Sequence, residues 1–383
     1  MTVDDPAIAR MLVLARESRG LTQGELARKM EPPTSGGPVS QGYISKAEAG
    51  RLAVTGERLD AYADALGYPA ALLRVPDHEI GAGVGLVHHR KKQSVSAAEL
   101  RRILAVLNLT RLQIRGLAGD HHLAPDAIPQ IPVTDLESPQ DAARAIRARW
   151  GVAPGPLTSV VELLETAGAW VTSHDLVPAV PLDSGAETVP VDAVSARPDG
   201  EAALVLLNTG TPAERQRFTV AHELGHMVMH PVPHPQQEQQ ADQFAAELLM
   251  PRRDIHPELQ RPLDIPALLE LKRRWQVSMW ALLRRAKTLG AVTDWQYRTL
   301  AVELSSLGYR IREPEPLTSE TPSTVPRMIA AHRLSGRSMD DLSTMALLRP
   351  AEFEALYLAA GRSAGAAATS EPHTDPDSGA TTR

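Results

Sequence analysis

The chain has 383 residues, of which 43% are apolar and 22% are charged. This length predicts two or three globular domains and does not suit a disordered or fibrous protein. The sequence contains no cysteine, which excludes disulfide frameworks, thiol nucleophiles and cysteine-ligated zinc or iron–sulfur sites. Any metal ion must therefore bind to His, Asp or Glu.

The formal net charge is -6, which argues against a protein that coats nucleic acid by bulk charge but leaves room for a local binding face. The N-terminus, MTVDDPAIAR, lacks a basic segment followed by an apolar stretch. No run of about 18 apolar residues occurs either. We therefore expect a cytoplasmic protein without a membrane segment.

The N-terminal part of the chain shows the pattern of several short helices. Thr22 and Gln23 open one predicted helix, and Ser40 and Gln41 open the next, with Ile44 as its buried anchor and EAGR at its end. These positions resemble the XRE family of helix-turn-helix domains. The resemblance implies a four- or five-helix domain that places polar side chains on a double-stranded DNA operator. The residues expected at the DNA are Gln23, Ser40, Gln41, Tyr43, Ser45, Lys46 and Arg51.

Two features depart from that family pattern. The segment EPPTSGGP, residues 31–38, replaces the usual short turn between the two helices of the motif. Nine basic and nine acidic residues occur up to Arg74, so we expect modest non-specific affinity for DNA. A helical module used for protein contact or dimerisation is the alternative. Dimerisation also suits DNA binding, because such domains contact paired half-sites.

A basic helical connector follows the N-terminal domain. The segment HHRKKQSVSAAELRRILAVLNLTRLQIRG carries Arg and Lys residues against the single acid Glu99. Its apolar residues fall near helical spacing. We interpret it as a helix packed on a neighbour with a solvated basic face, in preference to a phosphate-binding element.

The next part of the chain mixes helix and strand. TSVVELLETAG predicts an amphipathic helix closed by Gly168, and AWVTSH alternates as a strand. VDAVSA and ALVLLN are separated by the turn-forming ARPDGE, which predicts a hairpin. The predicted fold class is multi-domain and mainly α, with an α+β zincin-like domain that contains a small antiparallel sheet.

The segment TPAERQRFTVAHELGHMVMH predicts a helix that begins with a capping box of Thr211 and Glu214. His222 and His226 are four residues apart, so both imidazoles project from one face, with Glu223 beside that face. This is an HExxH motif. Two His at this spacing suit one Zn²⁺, and the adjacent carboxylate is placed to act as a base towards a water molecule.

A third ligand is predicted on a second helix started near Pro235. In EQQADQFAAELLMP, Glu238 completes a His₂Glu set, and Asp242 is placed to accept a hydrogen bond from the far nitrogen of a ligating His. The competing third ligands are His230, His234 and Glu247. The alternative to a metal site is a pair of partly buried histidines beside a solvated acidic helix.

RFTVAHELGH followed by ADQFAAELLMP resembles the ImmA/IrrE family of zinc-dependent regulatory peptidases, over about residues 140–315. The resemblance implies that His222, His226 and Glu238 bind zinc and that Glu223 is the general base. It also implies a helix-turn-helix repressor as the substrate. We expect an extended peptide to add to ALVLLN as an edge strand. His174, His230 and His234 are loose candidates for steadying the oxyanion.

The expected domains are a DNA-binding domain (1–75), the basic connector (76–139), the peptidase domain (140–315), a C-terminal helical region (316–362) and a disordered tail (363–383). The predicted function is a DNA-binding transcriptional regulator with a zinc endopeptidase domain that cleaves a repressor or its own chain. Two alternatives remain. One is a regulator whose metal site senses or stabilises without turnover, and the other is an antitoxin-like protein that binds a partner.

Overall fold

The computed structural model describes residues 5–30, 38–80, 96–119, 127–134, 137–176, 191–198, 200–232 and 234–358. Within these ranges the chain is mainly helical and contains one three-stranded sheet. None of the helices described is long and apolar enough to cross a lipid bilayer. The predicted disordered tail and the basic residues Arg90, Lys91 and Lys92 lie outside the described residues.

The N-terminal domain consists of α1 (Ala9–Ser18), α2 (Gln23–Lys29), α3 (Gln41–Glu48), α4 (Gly56–Leu66) and α5 (Ala70–Leu73). Thr22 caps α2 in a capping box with Glu25, and Ser40 caps α3, so both predicted helix starts are confirmed. Ile44 is fully buried, as predicted. Most of the long loop, residues 31–37, lies outside the described residues, and α2 and α3 pack directly against each other.

The sheet contains β1 (Trp170–His174), β2 (Ala193–Ala196) and β3 (Leu204–Asn208) in the order β1-β3-β2. The predicted hairpin is confirmed, because β2 and β3 pair antiparallel. β1 pairs parallel with β3, so the sheet is mixed and not antiparallel throughout. The expectation that ALVLLN is an edge strand is wrong. It forms β3, which has a strand on both sides, and β2 is the edge strand on the side of the hairpin.

Alternation along each strand divides the side chains of the sheet between two hydrophobic cores. Val194, Leu204 and Leu206 point into the core shared with the N-terminal domain, and Val205 and Leu207 point into a second core. The helices around the second core are α7 (Pro139–Arg149), α8 (Val160–Thr166), α9 (Ala213–Met229), α10 (Gln237–Leu249), α11 (Arg252–Leu259), α12 (Ile265–Trp275), α13 (Met279–Thr288) and α14 (Asp294–Ser306).

Helix α6 (Ala97–Ala118) forms the described part of the connector. The predicted packed helix is confirmed, but the expected solvated basic face is not found along its second half. Thr110, Arg111 and Gln113 are buried together with the apolar side chains. Arg111 and Arg115 both face Glu201, at 2.5 and 3.4 Å. These two arginines therefore form ion pairs within the protein.

The C-terminal region contains α15 (Thr324–Leu334), α16 (Met339–Met345) and α17 (Pro350–Phe353), followed by a π-helical turn over Glu354–Leu358. Arg19 of α1 forms a bidentate pair with Glu352, at 2.6 and 2.8 Å. Arg349 donates to Asp64 of α4 at 2.6 Å. These helices share one core with the N-terminal domain, α6 and the sheet. The region therefore packs on the rest of the chain and is not a separate module.

Candidate metal centre

Helices α9 and α10 lie side by side and carry the predicted metal ligands. Gly225 lies where the two helices come closest. A Cβ on this residue would lie 3.0 Å from Cδ1 of Phe244 and 3.3 Å from Cα of Ala241. The glycine of HELGH therefore allows the close approach that brings α10 to the face of α9 bearing His222 and His226.

The predicted capping box at the start of α9 is wrong. The helix begins at Ala213 with Pro212 at its N-cap and no side-chain capping bond. The Glu214 carboxylate instead accepts hydrogen bonds from Lys272 Nζ at 2.6 Å and from the Leu317 amide at 3.1 Å. A buried lysine needs a carboxylate partner, and this requirement outweighs the local cap.

Three side chains from the two helices converge on one point. The Nε2 atoms of His222 and His226 lie 3.0 Å apart, and each lies 3.5 Å from one carboxylate oxygen of Glu238. Among the described residues, these three form the only group of His, Asp or Glu side chains whose ligand atoms all lie within 4.8 Å of one another. Glu238, and not His230, His234 or Glu247, is the third member.

The geometry and chemistry of these donors fit a tetrahedral cation. Zn²⁺ with bonds of about 2.0 to 2.1 Å holds its ligand atoms about 3.3 Å apart, close to the separations seen here. Both carboxylate oxygens of Glu238 are buried and accept no hydrogen bond from the part of the chain described. A buried carboxylate that accepts no hydrogen bond and faces two imidazoles is energetically unfavourable unless a cation binds between them.

Asp242 orients His222 from behind the donor set. His222 Nδ1 lies 2.8 Å from Oδ1 of Asp242, so Nε2 is left to face Glu238 and His226. Burial lowers the pKa of His222, but the hydrogen bond with Asp242 and the nearby Glu238 raise it to about 9. The surroundings of this imidazole therefore favour positive charge, as a cation site requires.

His226 is oriented by a chain of hydrogen bonds that the sequence did not indicate. Its Nδ1 lies 3.0 Å from Nδ1 of His230, whose Nε2 lies 2.8 Å from Oε1 of Gln240. The amide oxygen of Gln240 accepts the Nε2 proton of His230, so His230 Nδ1 accepts from His226. This arrangement leaves His226 Nε2 without a proton and available as a ligand. His230 therefore supports the candidate ligand His226 from behind.

Ser195 contacts the predicted general base and was missed in the sequence. Its hydroxyl donates to Glu223 Oε2 at 2.5 Å, and both side chains are fully buried. Strand alternation places Ser195 on the same face of β2 as Ala193, towards α9. The alternating pattern of VDAVSA indicates which face of the strand carries Ser195. Nothing in the sequence shows that α9 packs over this face.

The remaining candidates for a third ligand or for steadying the oxyanion lie away from the donor set. His174 points to the opposite face of the sheet, where its Nε2 lies 3.2 Å from Thr110 of α6, and burial lowers its pKa to about 4. His234 is exposed before α10 and accepts a hydrogen bond from the Gln236 amide. Glu247 is buried in contact with Arg285.

The predicted DNA-contacting residues lie at the start of α2, along α3 and just after its C-terminal end. Gln41, Lys46 and Arg51 are exposed. Gln41 donates to Gln23 Oε1 at 2.7 Å, which links the starts of α2 and α3. Gln23 in turn donates to Glu48 at 2.9 Å. The starts of the two helices are thus fixed relative to each other.

Two of the other predicted contacts also serve the structure of the N-terminal domain. The hydroxyl of Ser40 accepts from the Tyr43 amide as the cap of α3. Tyr43 is half-buried, with its ring 6.5 Å from that of Tyr62 and 5.0 Å from the Arg58 guanidinium. Ser45 is also half-buried. Ser40, Gln41, Lys46 and Arg51 are therefore the exposed residues of the set, and the hydroxyl of Ser40 is already used as the cap.

Substitution of Asp242 tests the orientation of His222. We expect Asp242→Ala to weaken zinc binding by about 10- to 100-fold, because His222 loses the acceptor that fixes its ring. Asp242→Asn should retain most of the affinity, because its amide oxygen still accepts the Nδ1 proton. Competition against a chromogenic chelator measures this series, with Glu270→Ala on the exposed face of α12 as the control. Equal affinity in Asp242→Ala and the wild type would contradict this role.

Comparison with family models finds two matches in the chain. Residues 12–73 match a helix-turn-helix model of the XRE type, and residues 180–287 match the peptidase M78 model, an IrrE N-terminal-like domain. A search of curated proteins gave no match. The first match runs from within α1 to the end of α5, and the second includes β2, β3 and the two helices that carry the candidate ligands. The chain therefore joins an XRE-type helix-turn-helix domain to an IrrE/ImmA-like domain of a metallopeptidase family.

Proposed function

We propose that this protein is a DNA-binding transcriptional regulator that also hydrolyses peptide bonds with one Zn²⁺ bound to His222, His226 and Glu238. The observation that carries the proposal is the convergence of these three donors beside Glu223. The match to a peptidase family supports the same assignment. The proposed substrate is a repressor-type partner protein.

When bound, Zn²⁺ supplies Lewis-acid activation of water and of the peptide carbonyl. Glu223 is the proposed base: its carboxylate takes a proton from the attacking water and later gives it to the leaving amine. Ser195 keeps this carboxylate in one orientation through its 2.5 Å hydrogen bond. Asp242 and the His230–Gln240 pair hold the two imidazoles in the ligand tautomer.

The edge strand β2 is the proposed docking edge for an extended peptide. It pairs with β3 on one side only within the described sheet. Ser195 lies on this strand and contacts Glu223. A peptide added to β2 would therefore run past the base.

The domain division we propose keeps the DNA-binding domain at residues 1–75 and the peptidase domain at 140–315. Residues 97–118 and 324–358 join the two, because both segments contribute to the core that contains the N-terminal helices and one face of the sheet. Such a shared core suits a protein whose two activities are connected.

A substrate-trapping experiment tests the proposed function. We expect cells that carry Glu223→Gln to accumulate an intact repressor-type protein that cells with the wild-type chain lose. The purified wild-type protein with zinc should then cleave that protein. If no protein differs between the two strains while operator binding persists, the chain is a metal-containing regulator without turnover.

DNA binding by α3 is tested separately. An operator is first selected from random duplexes with the wild-type chain. We expect Lys46→Ala to weaken binding to operator and unrelated DNA alike, and to reduce the slope of log affinity against log salt by about 1, as loss of one phosphate contact requires. Arg333→Ala on the exposed side of α15 is the control. An unchanged slope would place Lys46 away from the phosphates.

A further inference from the structure

A cleft of about 640 Å³ lies beside the candidate metal centre. It is bounded by α9, α10, α13 and the segment that follows α14. Asp242, which orients His222, forms part of its wall, and Asp192, directly before β2, forms another part. The cleft thus reaches the residue that orients His222 and the residue that precedes the proposed docking edge. Its volume is in the range of sites that bind small molecules or peptide side chains.

Large apolar side chains form one side of this cleft. Phe218 of α9, Trp280 of α13 and Tyr309 line it. Ile311 stands at its rim with 88% of its surface exposed. An exposed isoleucine beside aromatic walls offers apolar surface to an occupant.

The charged side chains that line the cleft carry more positive than negative charge. Each lining carboxylate already has a partner: Asp192 pairs with Arg215, Asp242 accepts a hydrogen bond from His222, and Glu214 and Glu313 share the single cation of Lys272. By contrast, no carboxylate within the described ranges pairs with the lining residues Arg284, Arg310 and Arg312. Arg310 lies 5.6 Å from the Trp280 ring, so cation and aromatic surface are adjacent. Such a surface favours an occupant with carboxylates next to an aromatic group.

The rim of the cleft is held in place before any occupant binds. Glu313 accepts hydrogen bonds from the Met279 amide and from Lys272 Nζ, each at 3.0 Å. The Trp280 indole donates to the Tyr309 carbonyl at 3.1 Å. Because these contacts fix the segment against α12 and α13, binding does not require it to be ordered first.

We infer that this cleft binds a part of the peptide substrate that extends away from the metal centre, and that it selects aromatic and acidic residues. The inference rests on the proposed function, because it assigns the cleft to the substrate of that site. Charge complementarity with the three arginines and continuity with β2 and Asp242 carry it. The aromatic walls accept the ring, and the arginines pair with neighbouring carboxylates.

Binding to the full-length Glu223→Gln chain loaded with zinc tests this assignment without relying on cleavage. The probe is a short fluorescein-labelled peptide with one Phe followed by two Glu, compared by anisotropy with the peptide in which Gln replaces both Glu. We expect the acidic peptide to bind about tenfold more tightly. Arg284→Gln combined with Arg312→Gln should remove this preference, and Arg298→Gln on the exposed side of α14 should retain it.

Equal binding of the two peptides would overturn the inference, and so would a preference that persists in the double arginine variant. Inorganic phosphate is the probe for a small-anion site. Binding of phosphate without binding of either peptide would also overturn the assignment to a substrate. Selective peptide binding by a chain whose wild type cleaves nothing would retain the cleft as a peptide site and reject only the peptidase activity.

Discussion

The Glu223→Gln protein should retain zinc and lose about 10²- to 10⁴-fold in kcat for cleavage of the proposed repressor substrate, the contribution expected of a positioned general base. The amide has the shape of the carboxylate but does not take up a proton from water. Its oxygen still accepts the hydrogen bond from Ser195, so we expect the packing around β2 and α9 to remain unchanged. Zinc content by atomic emission and single-turnover cleavage of the repressor measure the two quantities.

Ser195→Ala provides a second test, for which a smaller loss of kcat is expected. This change removes the hydrogen bond that orients Glu223 and leaves the base itself in place. We expect kcat to fall by about tenfold with zinc content unchanged. Cleavage at the same rate by the wild type and Glu223→Gln would reject Glu223 as the base, whatever the effect of Ser195→Ala.

Gly116→Ala should detach the C-terminal helices from α6. A Cβ at this position would lie 2.0 Å from the Met345 carbonyl oxygen and 3.1 Å from its carbonyl carbon. Both are backbone atoms, so neither moves away by a change of rotamer. We expect a loss of at least about 3 kcal/mol in the free energy of unfolding, the upper part of the range for overpacked sites. Thermal unfolding and limited proteolysis of residues 324–358 would detect it.

Gly24→Ala is the matched control for this change. Gly24 also lies in a helix, α2, but an added Cβ meets nothing within 4 Å. Helix propensity alone then predicts a gain of about 1 kcal/mol or less. Similar stability of Gly116→Ala and Gly24→Ala would show that α16 does not pack on α6 as described.

Much of the local structure followed from short-range rules. Thr22 and Ser40 cap the helices that the sequence assigns to them. The spacing of His222 and His226 placed both imidazoles on one face of a helix, and their Nε2 atoms lie 3.0 Å apart. The hairpin from β2 to β3 followed from a turn between two apolar runs. These features depend on residues within a few positions of one another.

The errors arose where distant residues compete with local ones. Glu214 pairs with Lys272, which is 58 positions away, and does not form the predicted capping box. Arg111 pairs with Glu201 across 90 positions and is not solvated. β3 is central because β1 pairs with it from outside the hairpin. In each case the partner lies too far away along the chain for a local sequence pattern to indicate it.

The sequence by itself determined the chemistry available to this protein: without cysteine, a metal had to bind to imidazole and carboxylate, and HExxH with Glu238 supplied them. Only the tertiary structure decided what surrounds that set. Ser195 reaches Glu223 because β2 packs against α9, and the arginines near α13 meet the aromatic wall because the segment after α14 folds back over it. The physical reason is that ligand spacing depends on helix geometry, whereas these contacts depend on which distant surfaces are buried together.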